Sequence, residues 1–164
     1  MKSSFPPKQG RGWVAACLLI GSTGAALATL GQAPSAPVAS SASSATPAAR
    51  MLAAVPASNA YTVHETLLDS GTTVREFATP AGVVFALAWR GPVLPDLTAL
   101  LGNYFPTFQA VTNEARQAGR RGGPVVLARD GLVVHSNGHM RNFFGDAWAP
   151  VLIPSGVNIH DVLQ

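Results

Sequence analysis

The densest group of chemically capable side chains in this chain lies in HSNGHMRNFFGDAW, residues 135–148. His135 and His139 are four apart, with Arg141 and Asp146 close by. On a helix such a pair shares one face and suits a metal ion. The local sequence argues for strands instead, because Asn-Gly between two β-rich runs is the strongest short hairpin signal. With Asn137-Gly138 as a two-residue loop, His135 pairs with Met140 and Ser136 with His139. Paired residues share a face and successive ones alternate, so the two histidines are expected on opposite sides and no joint metal site is expected. The remaining candidates for acid–base work are His64, Glu65 and, more remotely, His160. A carboxylate pair of Glu65 and Glu76 across one hairpin is a further reading. Its plain alternative is a solvated strand face carrying ordinary cross-strand charges.

A pocket gathering two of His64, Glu65, His135, His139 and Asp146 within hydrogen-bond reach would favour a small hydrolase-like enzyme. Histidines scattered over different faces would favour a binding module. Ser70 sits in the turn Asp69-Ser70-Gly71, not in a nucleophile elbow. No phosphate loop, dinucleotide fingerprint or zinc-protease motif occurs, and no cofactor is expected. The candidate binding residues are the aromatics Trp89, Phe144 and Trp148 and the arginines Arg120, Arg121 and Arg141. Phe143 and Phe144 are adjacent on an expected strand and so point opposite ways. One of them then faces a partner, a second layer or the tail.

The elements that must position these residues follow from periodicity. YTVHETLL (61–68) alternates, TTVREFA (72–78) is β-rich, and VVFALAW (83–89) is apolar on both faces and therefore central. Turns at 69–71 and 79–82 make the three an antiparallel meander. From Pro95-Asp96 the period becomes helical through Leu97, Leu100, Leu101, Tyr104, Phe105, Phe108 and Val111. Pro106 is expected to kink or split this helix, and Gly119 to stop it. VVLAR and LVVHS form a hairpin about Asp130-Gly131, and HMRNFFG is the next strand. The fold class is α+β: an antiparallel sheet of five to six strands packed on one broken helix.

The ends divide the 164 residues into one domain and its leader. Lys2, Lys8 and Arg11 precede an apolar stretch from Val14 to Leu30 that holds the small-x-small site Ala26-Leu27-Ala28. This is the pattern of a signal peptide, 1–28, with Gly31-Gln32-Ala33 as a second cut site. The stretch is marginal for a membrane span. Cys17 also resembles a lipid-attachment site, but the apolar run mostly follows it. Residues 29–60, rich in Ala, Ser and Pro, read as a flexible linker with room for a short helix over 48–55. The folded domain is expected over 61–164. The chain carries eleven Lys and Arg against eight Asp and Glu. Three of the basic residues lie in the leader, so the mature chain is neutral and its basic pI is no nucleic-acid footprint. It also lacks cysteine, which leaves neither disulfides nor thiol chemistry.

YTVHET, GTTVREFATPAGVVFALAWRGPVLPDLTALLGNYF and GLVVHSNGHMRNFFGDAWAPVLIPSGV, with LGQ at 30–32, resemble a proteobacterial secreted family catalogued as domain of unknown function 2844. The resemblance covers about Tyr61 to Val157. The longer linker and Pro106 depart from its pattern. It implies export and a common small fold, and no activity. Members are often encoded beside another exported family, which implies another exported envelope protein as partner.

Overall fold

The computed structural model describes residues 29–34, 49–58, 60–120 and 122–164. Residues 1–28, which hold the expected leader and Cys17, lie outside them, as does Arg121.

The three meander strands form where alternation placed them: β2 (Tyr61–Leu68), β3 (Thr73–Ala78) and β4 (Val84–Gly91). β5 (Val125–Arg129), β6 (Leu132–His139) and β7 (Asn142–Trp148) complete six antiparallel strands. A seventh, β1 (Ala49–Ser58), lies within the stretch expected to be linker or short helix. It pairs antiparallel with β2, from Ala49 opposite Leu68 to Ser58 opposite Tyr61, with irregularities on either side of the ladder's centre. Edge strands tolerate bulges and a proline such as Pro56, since one side of the ladder needs no donor. The sheet order is β1-β2-β3-β4-β7-β6-β5, so β7, the last strand in sequence, inserts between β4 and β6.

Helix α1 (Leu97–Leu101) starts where Asp96 caps it, its carboxylate accepting from the Thr98 and Ala99 amides. A 3₁₀ turn over 102–104 leads into α2 (Phe105–Gln117), in which Pro106 occupies the first turn. The break therefore precedes the proline, which needs no donor there. Leu97, Leu100 and Leu101 bury against Val74, Leu87, Trp89, Leu132, Val134 and Ala147 on the first face of the sheet. Leu30 joins this core at 1 % exposure. Its amide donates to the Leu100 carbonyl, while Gly31 and Gln32 exchange hydrogen bonds with Val84. Residues 29–32 are thus part of the fold although their composition reads as linker.

The second face is partly covered by the chain's last residues. Ile159, Val162 and Leu163, on and beside α3 (Ile159–Val162), pack with Ile153 and Val157 on Tyr61, Phe77, Phe85 and Trp148. No helix among the described residues is long and apolar enough to cross a membrane.

Candidate functional site

The ladders align residues of neighbouring strands into rows that cross the sheet. One row on the second face holds Val63, Phe77, Ala86, Trp148 and Val133, and the tail lies over it. The next runs Glu65, Arg75, Ala88, Asp146, His135 and Val126. A third holds Leu67, Thr73, Arg90, Phe144 and Asn137. Strands lie about 4.8 Å apart, so the charged row spans roughly 24 Å.

Ala88 is the smallest member of that row, and a cavity of about 410 Å³ opens over it. Glu65, Thr73, Arg75, Arg90, Phe144 and Asp146 line this space. A second hollow of about 190 Å³ adjoins it across Phe144 and Asp146, bounded by His135, Asn137 and Val126. The Arg75 guanidinium lies 5.3 Å from the Phe77 ring centre and that of Arg90 lies 5.9 Å from Phe144. Rings beneath guanidinium groups hold them in place while leaving their N–H edges free. Neither arginine has a carboxylate within ion-pair distance among the described residues.

Burial pushes the Asp146 carboxyl above the usual range, and the charges of His135 and His160 pull it partly back. His135 Nδ1 lies 3.1 Å from Asp146 Oδ2. The two groups are out of line for a directed hydrogen bond, so the attraction is chiefly coulombic. Trp148 stands edge-on to both histidine rings, 5.1 Å from His135 and 6.4 Å from His160 between ring centres.

The hairpin that carries these groups differs from the expected one. β6 runs straight through Asn137-Gly138, and the turn falls at Met140-Arg141, both in the left-handed region. His139 pairs with Asn142 and His135 with Asp146. His135 and His139 therefore share a face, contrary to the expectation from an Asn-Gly loop. Four strand residues still separate them by about 13 Å, too far to ligate one ion. Among the described residues no three His, Cys, Asp or Glu side chains come together to hold a metal. Gly138 is a strand glycine: a methyl group there would collide with the ring of Phe143 opposite.

The other expected residues fall as follows. His64 is on the first face opposite the fully buried Glu76, so its side chain points away from the face of Glu65 and the charged row. Glu65 faces Arg75, so Glu65 and Glu76 lie on opposite faces and form no carboxylate pair. Trp89 is a core residue at 2 % exposure, and Trp148 is also buried. Phe144 is 38 % exposed and opens onto the cavity. Arg141 is exposed in its turn. Arg120 lies at a separate cleft between α2 and β5. Sequence reasoning missed Arg75 and Arg90 at the site and did not commit to His160. Alternation alone sets Arg75 on the face of Phe77 and Arg90 on that of Ala88, which was the available signal.

A family model matches the chain over residues 26–162. The chain belongs to that family. Its description is Protein of unknown function (DUF2844). The match to DUF2844 takes in Leu30 and Gln32 together with β1, in keeping with their place in the fold. No curated protein matches the chain, and no solved structure does.

Proposed function

We propose that this chain is an exported cell-envelope protein that works as a non-enzymatic binding module, with the open half of the second sheet face as its binding surface. The observation that carries this reading is the cavity over Ala88, walled by Arg75, Arg90 and a half-exposed Phe144. Two guanidinium groups with no carboxylate within ion-pair distance among the described residues, beside an aromatic ring, suit a polar group with some negative charge on a ligand or a partner protein. Export is supported by the basic and apolar leader and by the absence of cysteine beyond it. The docking of Leu30 favours a cut after Ala28, because a cut after Ala33 would remove a core residue.

The test places a photo-crosslinking amino acid at position 144 of the full chain in its own host's envelope. A discrete adduct, lost when Arg75 and Arg90 are both changed to alanine, is the expected result. Absence of any adduct, or one indifferent to both arginines, would overturn the reading.

One observation favours an enzyme instead. His135 Nδ1 and Asp146 Oδ2 lie 3.1 Å apart beside the cavity, a candidate base with a carboxylate next to it. Turnover of any ester, amide or phosphoester by the wild-type chain, abolished in His135→Ala, would establish that reading.

A further inference from the structure

A second surface, on the opposite face and at the far edge of the sheet, has its own chemistry. Among the described residues β5 pairs only with β6, so one side of its backbone is open there. Asp130 and Gly131, both at positive φ, close the hairpin with Arg129 opposite Leu132. In such a hairpin the pair flanking the turn exchanges hydrogen bonds, and bonded pairs then alternate along the ladder. Arg129, Leu127 and Val125 therefore spend their amides and carbonyls on β6. Val126 and Ala128 present theirs to the open edge.

The edge is neither bulged nor shielded at its N-terminal half. Val126 is 73 % exposed. Beside it, on the helix side, lies a cleft of about 180 Å³ between α2 and β5, floored by Val111, Ala115 and Val125. Arg116 and Arg120 line the cleft, and neither has a carboxylate within ion-pair distance among the described residues. The other end of β5 is closed: Arg129 makes two 3.0 Å hydrogen bonds to the Glu114 carboxylate on α2. Open strand donors and acceptors, an apolar cleft at their flank and free cations above it are the parts of a strand-addition groove.

We infer that β5 accepts an extended segment of another protein as an eighth strand, with an apolar side chain in the α2–β5 cleft and an acidic side chain on Arg116 and Arg120. Charge selects an acidic partner, because Arg116 and Arg120 have no carboxylate within ion-pair distance among the described residues. A second copy docked edge to edge would bring Arg129 with its own Glu114 and Asp130 to that end, and the oligomeric state tests for it. The chain's own segment 35–48 carries no acidic residue to meet the arginines.

Random decapeptides displayed on phage and panned on the full chain test the inference. The expected peptides share an apolar residue and an acidic one. A recovered peptide, added to the wild-type chain, should slow amide exchange at Val126 and Ala128 specifically. Its affinity should fall by about tenfold or more in Arg116→Glu/Arg120→Glu, since like charges then face each other. Ala128→Pro removes an outward amide, which an edge strand tolerates, and should end binding with little change in melting temperature. Phe144→Ala should leave binding intact, which separates this groove from the cavity over Ala88. The inference is overturned if panning enriches nothing beyond the Ala128→Pro background, or if charge reversal leaves affinity unchanged. It is equally overturned if protection falls elsewhere, or if the chain is a dimer that Ala128→Pro dissociates.

Discussion

Replacing Leu30 with alanine tests whether the residues before β1 belong to the fold. The side chain is buried at 1 % exposure among Leu100, Leu101 and their neighbours on the first face of the sheet. It is framed on both sides by main-chain hydrogen bonds, from Leu30 to Leu100 and between Gly31, Gln32 and Val84. The Thr29 hydroxyl adds a 2.9 Å bond to the Ala99 carbonyl. A segment held this way cannot collapse easily into the space that a lost isobutyl group leaves. Buried leucine-to-alanine changes cost about 2–5 kcal/mol, and about 3 kcal/mol is expected here. For a domain of this size that corresponds to a melting temperature lower by roughly 10 °C. Thermal unfolding followed by circular dichroism and calorimetry would measure it. Gln32→Ala is the control, because the exposed Gln32 side chain makes no contact that the segment needs, and a change within about 0.5 kcal/mol is expected. A Leu30→Ala chain that melts within a degree or two of wild type would refute the reasoning and detach residues 29–32 from the core.

Two further outcomes follow, one from the charged row and one from the glycine beside it on β7. Asp146 has its carboxyl raised by burial, so the folded state holds that proton more tightly than the unfolded chain, whose carboxyl titrates near 3.8. Stability is then lost as pH rises from about that value through the raised one. Asp146→Asn should melt higher than wild type at pH 7, with the gap narrowing as pH falls toward 4; a lower melting point at pH 7 would contradict this sign. Gly145→Ala should destabilise by about 2 kcal/mol, because the new methyl group would collide with the His135 carbonyl and the Trp89 ring. Denaturant unfolding would measure that loss, and an unchanged midpoint would show that Trp89 moves freely.

Most of the fold was legible because its signals are local. The alternation of 61–68 and the helical period from Leu97 to Val111 each carry one apolar stripe, and a single sequence displays that stripe directly. β1 was not legible. Its alanines and proline carry no β pattern, and it is held at an edge by main-chain pairing, to which composition is blind. Leu30 was hidden for a related reason: one apolar residue beside a leader gives no period. The site was half legible. Alternation puts Glu65, Arg75 and Asp146 on definite faces of their own strands. Only the insertion of β7 between β4 and β6 puts them in one row, and that pairing is non-local. His135 and His139 share a face, and distance alone, not orientation, separates them.

The misplaced turn has a consequence for how the chain reaches this fold. Asn137-Gly138 is the better turn by local chemistry, while Met140 and Arg141 both occupy a region costly for residues with side chains. Turning at Asn137-Gly138 would shift β7 along β6 by six residues. An even shift keeps every side chain on its own face, so the hydrophobic pattern does not forbid it. What forbids it is β4, whose residues from Ala86 to Gly91 pair with β7 from Trp148 back to Phe143. The β6–β7 hairpin is therefore not self-determining. Cut out as a peptide, it is expected to prefer the other register; in the whole chain the pairing with β4 selects the native one.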